Sequence, residues 1–180
     1  MPPPSVTMKY PDRDYNLIFK RLKSGVLSKS GKTLLYLLIH ERSYTRERGF
    51  RIMRIRYESP LCSKGCGIVE TQTHKFATCF WVSDVWHKML DIISRMEPSM
   101  VFETSHDVLH LNFPKHVHEN SILWLIGQYL QFIEEETFIR NKRVSVSQFI
   151  GHLSAKRMDS RHQAMPYIAD IPGLFPTGVG

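Results

Sequence analysis

Three cysteines and one histidine, Cys62, Cys66, His74 and Cys79, fall within the eighteen residues "CSKGCGIVETQTHKFATC", and no other cysteine occurs in the 180-residue chain. Thiolate and imidazole are the ligands a tetrahedral zinc ion prefers, and four of them complete its coordination shell. The spacing Cys62-x3-Cys66-x7-His74-x4-Cys79 supplies two pairs of ligands, each pair close enough in sequence to form one edge of the tetrahedron. Gly65 and Gly67 flank Cys66 and suit a backbone that turns tightly around an ion. Four protein ligands leave no open position for a catalytic water, so the spacing predicts a structural Zn2+ rather than a hydrolytic one. The alternative is a set of buried free thiols beside a surface histidine. Lys64 and Lys75 lie next to the ligands and would moderate the net negative charge of a zinc ion bound to three thiolates.

The segments around this window read as helices. Apolar spacing predicts a short amphipathic helix over Tyr15–Lys23, stopped near Gly25, and a second over Lys32–Arg42. "WVSDVWHKMLDIISRM" gives the clearest helix of the first half, capped by Ser83 or Asp84. Glu119 or Asn120 to Arg140 is a long helix with a strong apolar face, and Val146 to about Met158 is the last. Between them, residues 98–118 read as irregular, with a short extended piece at "DVLHLNF". Trp86 and Trp124 sit on apolar faces and belong to the core. The fold class is mostly α: a small helical domain over residues 12–160, organised around a Cys-Cys-His-Cys zinc-knuckle-like loop. Residues 1–11 and 161–180 are rich in Pro or Pro/Gly and are expected to be disordered.

Charge is distributed unevenly. The formal charge is +7. Lys20, Arg21, Lys23, Lys29, Lys32, Arg42, Arg46, Arg48, Arg51, Arg54 and Arg56 precede the first cysteine, opposed between Lys20 and Arg56 only by Glu41 and Glu47. Arginine dominates the stretch after Lys32 and is the better bidentate phosphate ligand. Tyr44, Phe50 and Tyr57 are interleaved with these residues and suit stacking on unpaired bases. The expected nucleic-acid contacts are Arg42, Arg46, Arg48, Arg51, Arg54 and Arg56, with Lys64 and Lys75 from the metal loop. The alternative is a solvated basic surface that contacts another protein.

The run "LCSKGCGIVETQTHKFATCFWVSDVW" resembles the zinc-binding region C-terminal to the reverse transcriptase domain of LINE-type (non-LTR) retrotransposons, insect-type elements most closely. The residues that carry the resemblance are Cys62, Cys66, Glu70, Thr71, His74, Phe76, Cys79 and Trp86, with Ile39, His40, Thr45 and Arg48 upstream. It covers about residues 33–93. It implies binding of template RNA or target DNA. The polymerase activity does not carry over. A reverse transcriptase needs a catalytic Asp pair plus a third Asp to hold two metal ions, no Asp-Asp pair occurs in this chain, and too few residues precede position 33 to form fingers and palm.

Other motifs fail on spacing. "GVLSKSGKT" places five residues rather than four between Gly25 and Gly31, where a phosphate-binding loop needs four and a preceding strand. His106, His110, His116 and His118 read as surface histidines, and no carboxylate pair suggests a nuclease. No apolar run reaches the length of about 18 residues that a membrane helix needs. With an odd cysteine count and no leader-like N-terminus, the protein is expected to be intracellular, in nucleus or cytoplasm. It is not expected to be an enzyme or to take a small-molecule substrate. Its expected partners are RNA or DNA, and a reverse transcriptase core or another protein. The competing reading is a protein-interaction module, or an element fragment, in which zinc only stabilises packing.

Overall fold

The computed structural model describes residues 10–52 and 58–157. Its helices, in chain order, are α1 (Tyr15–Leu22), α2 (Lys29–Ile39), α3 (Arg46–Ile52), α4 (Ser83–Met96), α5 (Ser105–Leu109), α6 (Glu119–Ile133) and α7 (Val146–Arg157). Two π-helical turns join them, His74–Thr78 ahead of α4 and Glu134–Ile139 as the continuation of α6. Among the described residues there is no strand, only an isolated antiparallel bridge between Leu61 and Val69. The mostly helical class expected from sequence is the observed one.

Helix α6 is the centre of the fold. Ile122–Leu130 is buried without interruption, together with Phe132 and Ile133. A helix apolar on all sides is covered on all sides: α2, α4 and α7 all pack on it. Burial of large side chains such as Trp124, Tyr129, Phe149 and Met89 drives this arrangement. Contact of α2 and the residues just ahead of it with α6 is close at two glycines. A Cβ on Gly31 would meet the Gln131 side chain at 3.1 Å and the Gly127 Cα at 3.7 Å, and a Cβ on Gly127 would meet the Leu27 Cδ2 at 2.8 Å. Trp86 and Trp124 are both buried, as their positions on apolar faces imply.

Boundaries differ from the sequence reading where a cap or a distant partner decides them. Helix α2 begins three residues earlier than expected, because the Ser28 hydroxyl accepts the Gly31 amide at 3.0 Å. It also ends earlier, at Ile39. The basic connector after it contains α3, seven residues with no buried side chain. Neither Ser83 nor Asp84 caps α4; the Cys79 carbonyl accepts the amides of Val82 and Ser83, each at 2.9 Å. The extended piece expected at "DVLHLNF" is instead α5, started by a capping box in which Thr104 and Asp107 satisfy each other's backbone. That turn places His106 and His110 on one side, ring centroids 5.2 Å apart. His110 is fully buried rather than on the surface, within hydrogen-bonding reach of Arg13. Of the two termini expected to be disordered, residues 1–9 and 158–180 lie outside the described residues, as does Met158 at the expected end of α7. Tyr10 is placed, its hydroxyl donating to Glu41 at 2.9 Å.

Candidate metal centre

Residues 60–70 form a tight loop. Its mouth is closed by Cys62 N–H donating to the Ile68 carbonyl (2.8 Å) and Glu70 N–H to the Pro60 carbonyl (2.9 Å). Gly65 and Gly67 have φ of +75° and +69°, the left-handed region in which a side chain is strained. The turn presents Cys62 and Cys66 to the same point, and the Lys64 amide donates to the Cys62 sulfur at 3.4 Å. The other two residues come from the π-helical turn. His74 opens it and Cys79 follows it, tied by Cys79 N–H to the His74 carbonyl at 2.8 Å. The extra residue of a π turn, relative to an α turn, lets positions five apart share one face. The turn is held from below by Tyr129, whose hydroxyl donates to the Phe76 carbonyl at 2.5 Å.

The ligand atoms of Cys62, Cys66, His74 and Cys79 all lie within 4.8 Å of one another. The sulfur separations are 3.9 Å for Cys62–Cys79, 3.6 Å for Cys62–Cys66 and 3.5 Å for Cys66–Cys79. These are far too long for disulfides. They match the edge of about 3.8 Å of a tetrahedron whose metal–sulfur bonds are about 2.3 Å. The His74 ring completes the set. Its Nδ1 lies 3.5 Å from the Thr78 hydroxyl, while its buried Nε2 has no hydrogen-bond partner. A buried ring nitrogen without a partner carries a desolvation cost, and a metal ion at the cluster would remove it. The donor set, the edge lengths and the orphan nitrogen together fit a tetrahedral metal ion.

The charges around the cluster follow from burial. Burial pushes the Cys79 thiol up to about 12, with the neighbouring Cys66 and Cys62 adding to the rise and the Trp81 amide opposing it. Burial likewise raises Cys62 and lowers His74. The metal-free centre at neutral pH therefore holds a neutral imidazole, ready to ligate, and at least these two thiols in protonated form. Metal entry must expel their protons. Apparent affinity should accordingly rise by about tenfold per pH unit for each proton displaced. A metal titration in weakly buffered solution, read with a pH indicator, should show the release directly. The sign reverses for the metal-free fold. Raised thiol values contribute stability below the unfolded thiol pKa, and that stability is lost as pH climbs toward the folded values. Alkali should weaken the chelated protein. Proton-neutral metal uptake with pH-independent affinity would show that these thiols are not the ligands.

Lys64 and Lys75 require a correction. Both are buried, at 9% and 4% exposure, and neither presents its ammonium to a phosphate. Lys75 donates to the Tyr44 carbonyl at 2.9 Å and pairs with Glu134 at 2.8 Å. Lys64 donates to the Asn141 side chain at 2.6 Å. The ammonium groups lie 5.2 and 4.6 Å from the Phe138 ring centre. Burial lowers the Lys64 pKa, and negative charge on Cys62, Glu70 and Cys79 opposes that shift. A cation desolvated in this place suits the thiolates of a metal-loaded cluster, the charge-moderating role expected of both lysines.

Of the expected arginine contacts, Arg42 and Arg51 are exposed and Arg46 and Arg48 half-buried, while Arg54 and Arg56 lie outside the described residues, as does the interleaved Tyr57. Their link to the metal loop is Glu70, which composition and periodicity do not distinguish and only the resemblance marks. Its buried carboxylate accepts the Arg46 amide at 2.9 Å, at the start of α3, and the Ser63 amide at 3.3 Å, inside the loop. Among the described residues no second cluster of potential metal ligands occurs, and no helix is long and apolar enough to cross a membrane. Compared with protein-family models, with curated proteins and with solved structures, the chain matches none.

Proposed function

We propose that this is a non-catalytic nucleic-acid-binding domain whose Cys62-Cys66-His74-Cys79 centre holds a structural zinc ion, and that it derives from the C-terminal region of a LINE-type reverse transcriptase. The observation that carries the reading is the Glu70 bridge. One carboxylate fastens the arginine-bearing helix α3 to the metal loop, so the ion fixes the position of Arg46, Arg48 and Arg51. Zinc is the ion that three thiolates and one imidazole in a closed tetrahedron favour. Arginines held on one rigid element suit phosphate oxygens, with exposed Tyr44 beside them for stacking.

The test is binding of single-stranded RNA across a salt series. The zinc-loaded protein should bind with a steep dependence on salt. Replacing Arg46, Arg48 and Arg51 together by Gln should weaken binding and reduce the log–log slope by about 2, since each phosphate contact on a single strand contributes about 0.7. Cys79→Ser should weaken binding as well. Equal, weak binding by all three proteins would remove the nucleic-acid reading. The second reading, a protein-interaction module with purely structural zinc, is favoured by a specific feature. Leu61, Ile68, Val69 and Phe80 are exposed apolar side chains on and beside the metal loop.

A further inference from the structure

A cleft of about 380 Å³ lies beside the metal loop, walled by α3, by residues 71–73 and by Tyr10 and His106. Its volume is at the lower end of the range of about 300–1,000 Å³ that small-ligand clefts span, enough for one compact unit. The lining is polar and of mixed charge. Arg48 and Arg51 sit in it with Glu47, and among the described residues none of their charged groups has a hydrogen-bond or ion-pair partner. The second carboxylate, Glu41, is engaged by the Tyr10 hydroxyl. Ser43 is 3% exposed, and its hydroxyl is buried without a partner. An orphan hydroxyl in the wall of a cleft that also holds unpaired cations and an unpaired carboxylate is a polar inventory awaiting a ligand.

The mixture selects the ligand. A bare phosphate would meet Arg48 and Arg51 favourably but would also face Glu47. A ligand with an anionic end and hydroxyl donors satisfies all three together, and a ribonucleotide has both. The ribose hydroxyl is a donor that a carboxylate accepts and a serine hydroxyl complements. We propose that this cleft seats one ribonucleotide of a single strand, with its phosphate on Arg48 and Arg51, its ribose 2′-hydroxyl against Glu47 and Ser43, and Tyr10 and His106 forming the aromatic wall. The proposal rests on the nucleic-acid reading and adds to it a preference for RNA over DNA. A deoxyribose would leave the Glu47 carboxylate facing the strand without a donor.

The experiment uses the zinc-loaded full chain and single strands of about ten nucleotides in ribo, 2′-deoxy and 2′-O-methyl forms of one sequence. The expected result is binding of the ribo strand about tenfold tighter than either other form, a ratio set by one hydrogen bond to a charged group. Glu47→Gln should bring that ratio close to one and Ser43→Ala should lower it, whatever they do to absolute affinity. Both variants are checked for unchanged zinc content and melting. Equal affinity of the wild-type protein for all three strands, or a ratio that both variants leave intact, overturns the cleft while the nucleic-acid reading stands. Absence of binding to any strand overturns both. The 2′-O-methyl strand keeps the test decisive even if a variant fails to fold.

Discussion

Cys79→Ser should release the metal and cost the fold at least about 4 kcal/mol, the linkage energy of a ligand present at a thousand times its Kd. The reason lies in how many elements converge on this residue. Its sulfur is within 3.9 Å of both other thiols, its amide closes the π-helical turn, and its carbonyl starts α4. Cys79 is fully buried and belongs to the same apolar core as Val82, Phe76 and Met89. Loss of the ion therefore reaches the core and not only the loop. It also leaves Lys64 and Lys75 buried beside protonated thiols, without the anionic cluster that offsets their desolvation. For a domain of this size each kcal/mol corresponds to roughly 2–4 °C, so melting should fall by about 10 °C or more. Chelation of the wild-type protein should have a similar effect. Hydrogen exchange should accelerate first in residues 58–82, ahead of α6. Metal content by mass spectrometry, a melting curve and an exchange map check these points together. A variant that melts with the wild type, in a protein indifferent to chelator, would show that the cluster holds no ion.

The metal centre was readable in the sequence because its chemistry is local. Four ligand-type residues in one short window point to an ion more strongly than to scattered core thiols, and Gly65 and Gly67 mark a turn that the backbone makes with positive φ. The helices α4, α6 and α7 were readable for a related reason. Each buries an apolar stripe or a whole apolar surface, and that leaves a period in the sequence. Helix α3 buries no side chain, so it leaves none. Its start is capped by Thr45, whose hydroxyl accepts the Arg48 amide at 3.2 Å, and is held to the metal loop by Glu70, twenty-four positions away. Helix α5 is a single turn decided by the Thr104–Asp107 capping box in a stretch otherwise rich in β-branched and aromatic residues. Charge was the least readable property. A lysine beside a cysteine motif looks like a phosphate contact, and nothing in the sequence says that Asn141 and Glu134, more than fifty residues later, will enclose Lys64 and Lys75. The Glu-Thr pair of the resemblance also gains a physical meaning only in three dimensions. Glu70 bridges loop and helix, and the Thr71 hydroxyl accepts the His74 amide at 3.0 Å, fixing the start of the ligand-bearing turn.

Arg21 shows the same limit at its largest, and replacing it should be the most damaging surface-looking substitution in the protein. In sequence it is one of a run of basic residues that suggests a phosphate-binding face. In the fold it is 1% exposed. Its guanidinium donates to the carbonyls of Leu111 (2.8 Å), Phe113 (2.6 Å) and Pro114 (3.0 Å), pairs with Glu119 at 2.9 Å and lies 3.9 Å over the Phe113 ring. Leu111 has a φ of +56°, in the left-handed region, so the backbone leaving α5 takes a conformation that side-chain-bearing residues rarely adopt. One planar cation with five donors holds that segment and the first turn of α6 against α1. Arg21→Ala would leave three carbonyls and a carboxylate without their donor, an expected loss of about 3–5 kcal/mol. Arg21→Lys should recover only part of it, because a single ammonium cannot match the fork geometry that reaches all of these acceptors. Arg51→Ala, on the exposed side of α3, should change stability by no more than about 0.5 kcal/mol. Urea unfolding of the three variants separates the two kinds of arginine. If Arg21→Ala unfolds within about 1 kcal/mol of the wild type, the guanidinium is not the clamp described here, and Arg21 returns to the set of residues available for phosphate.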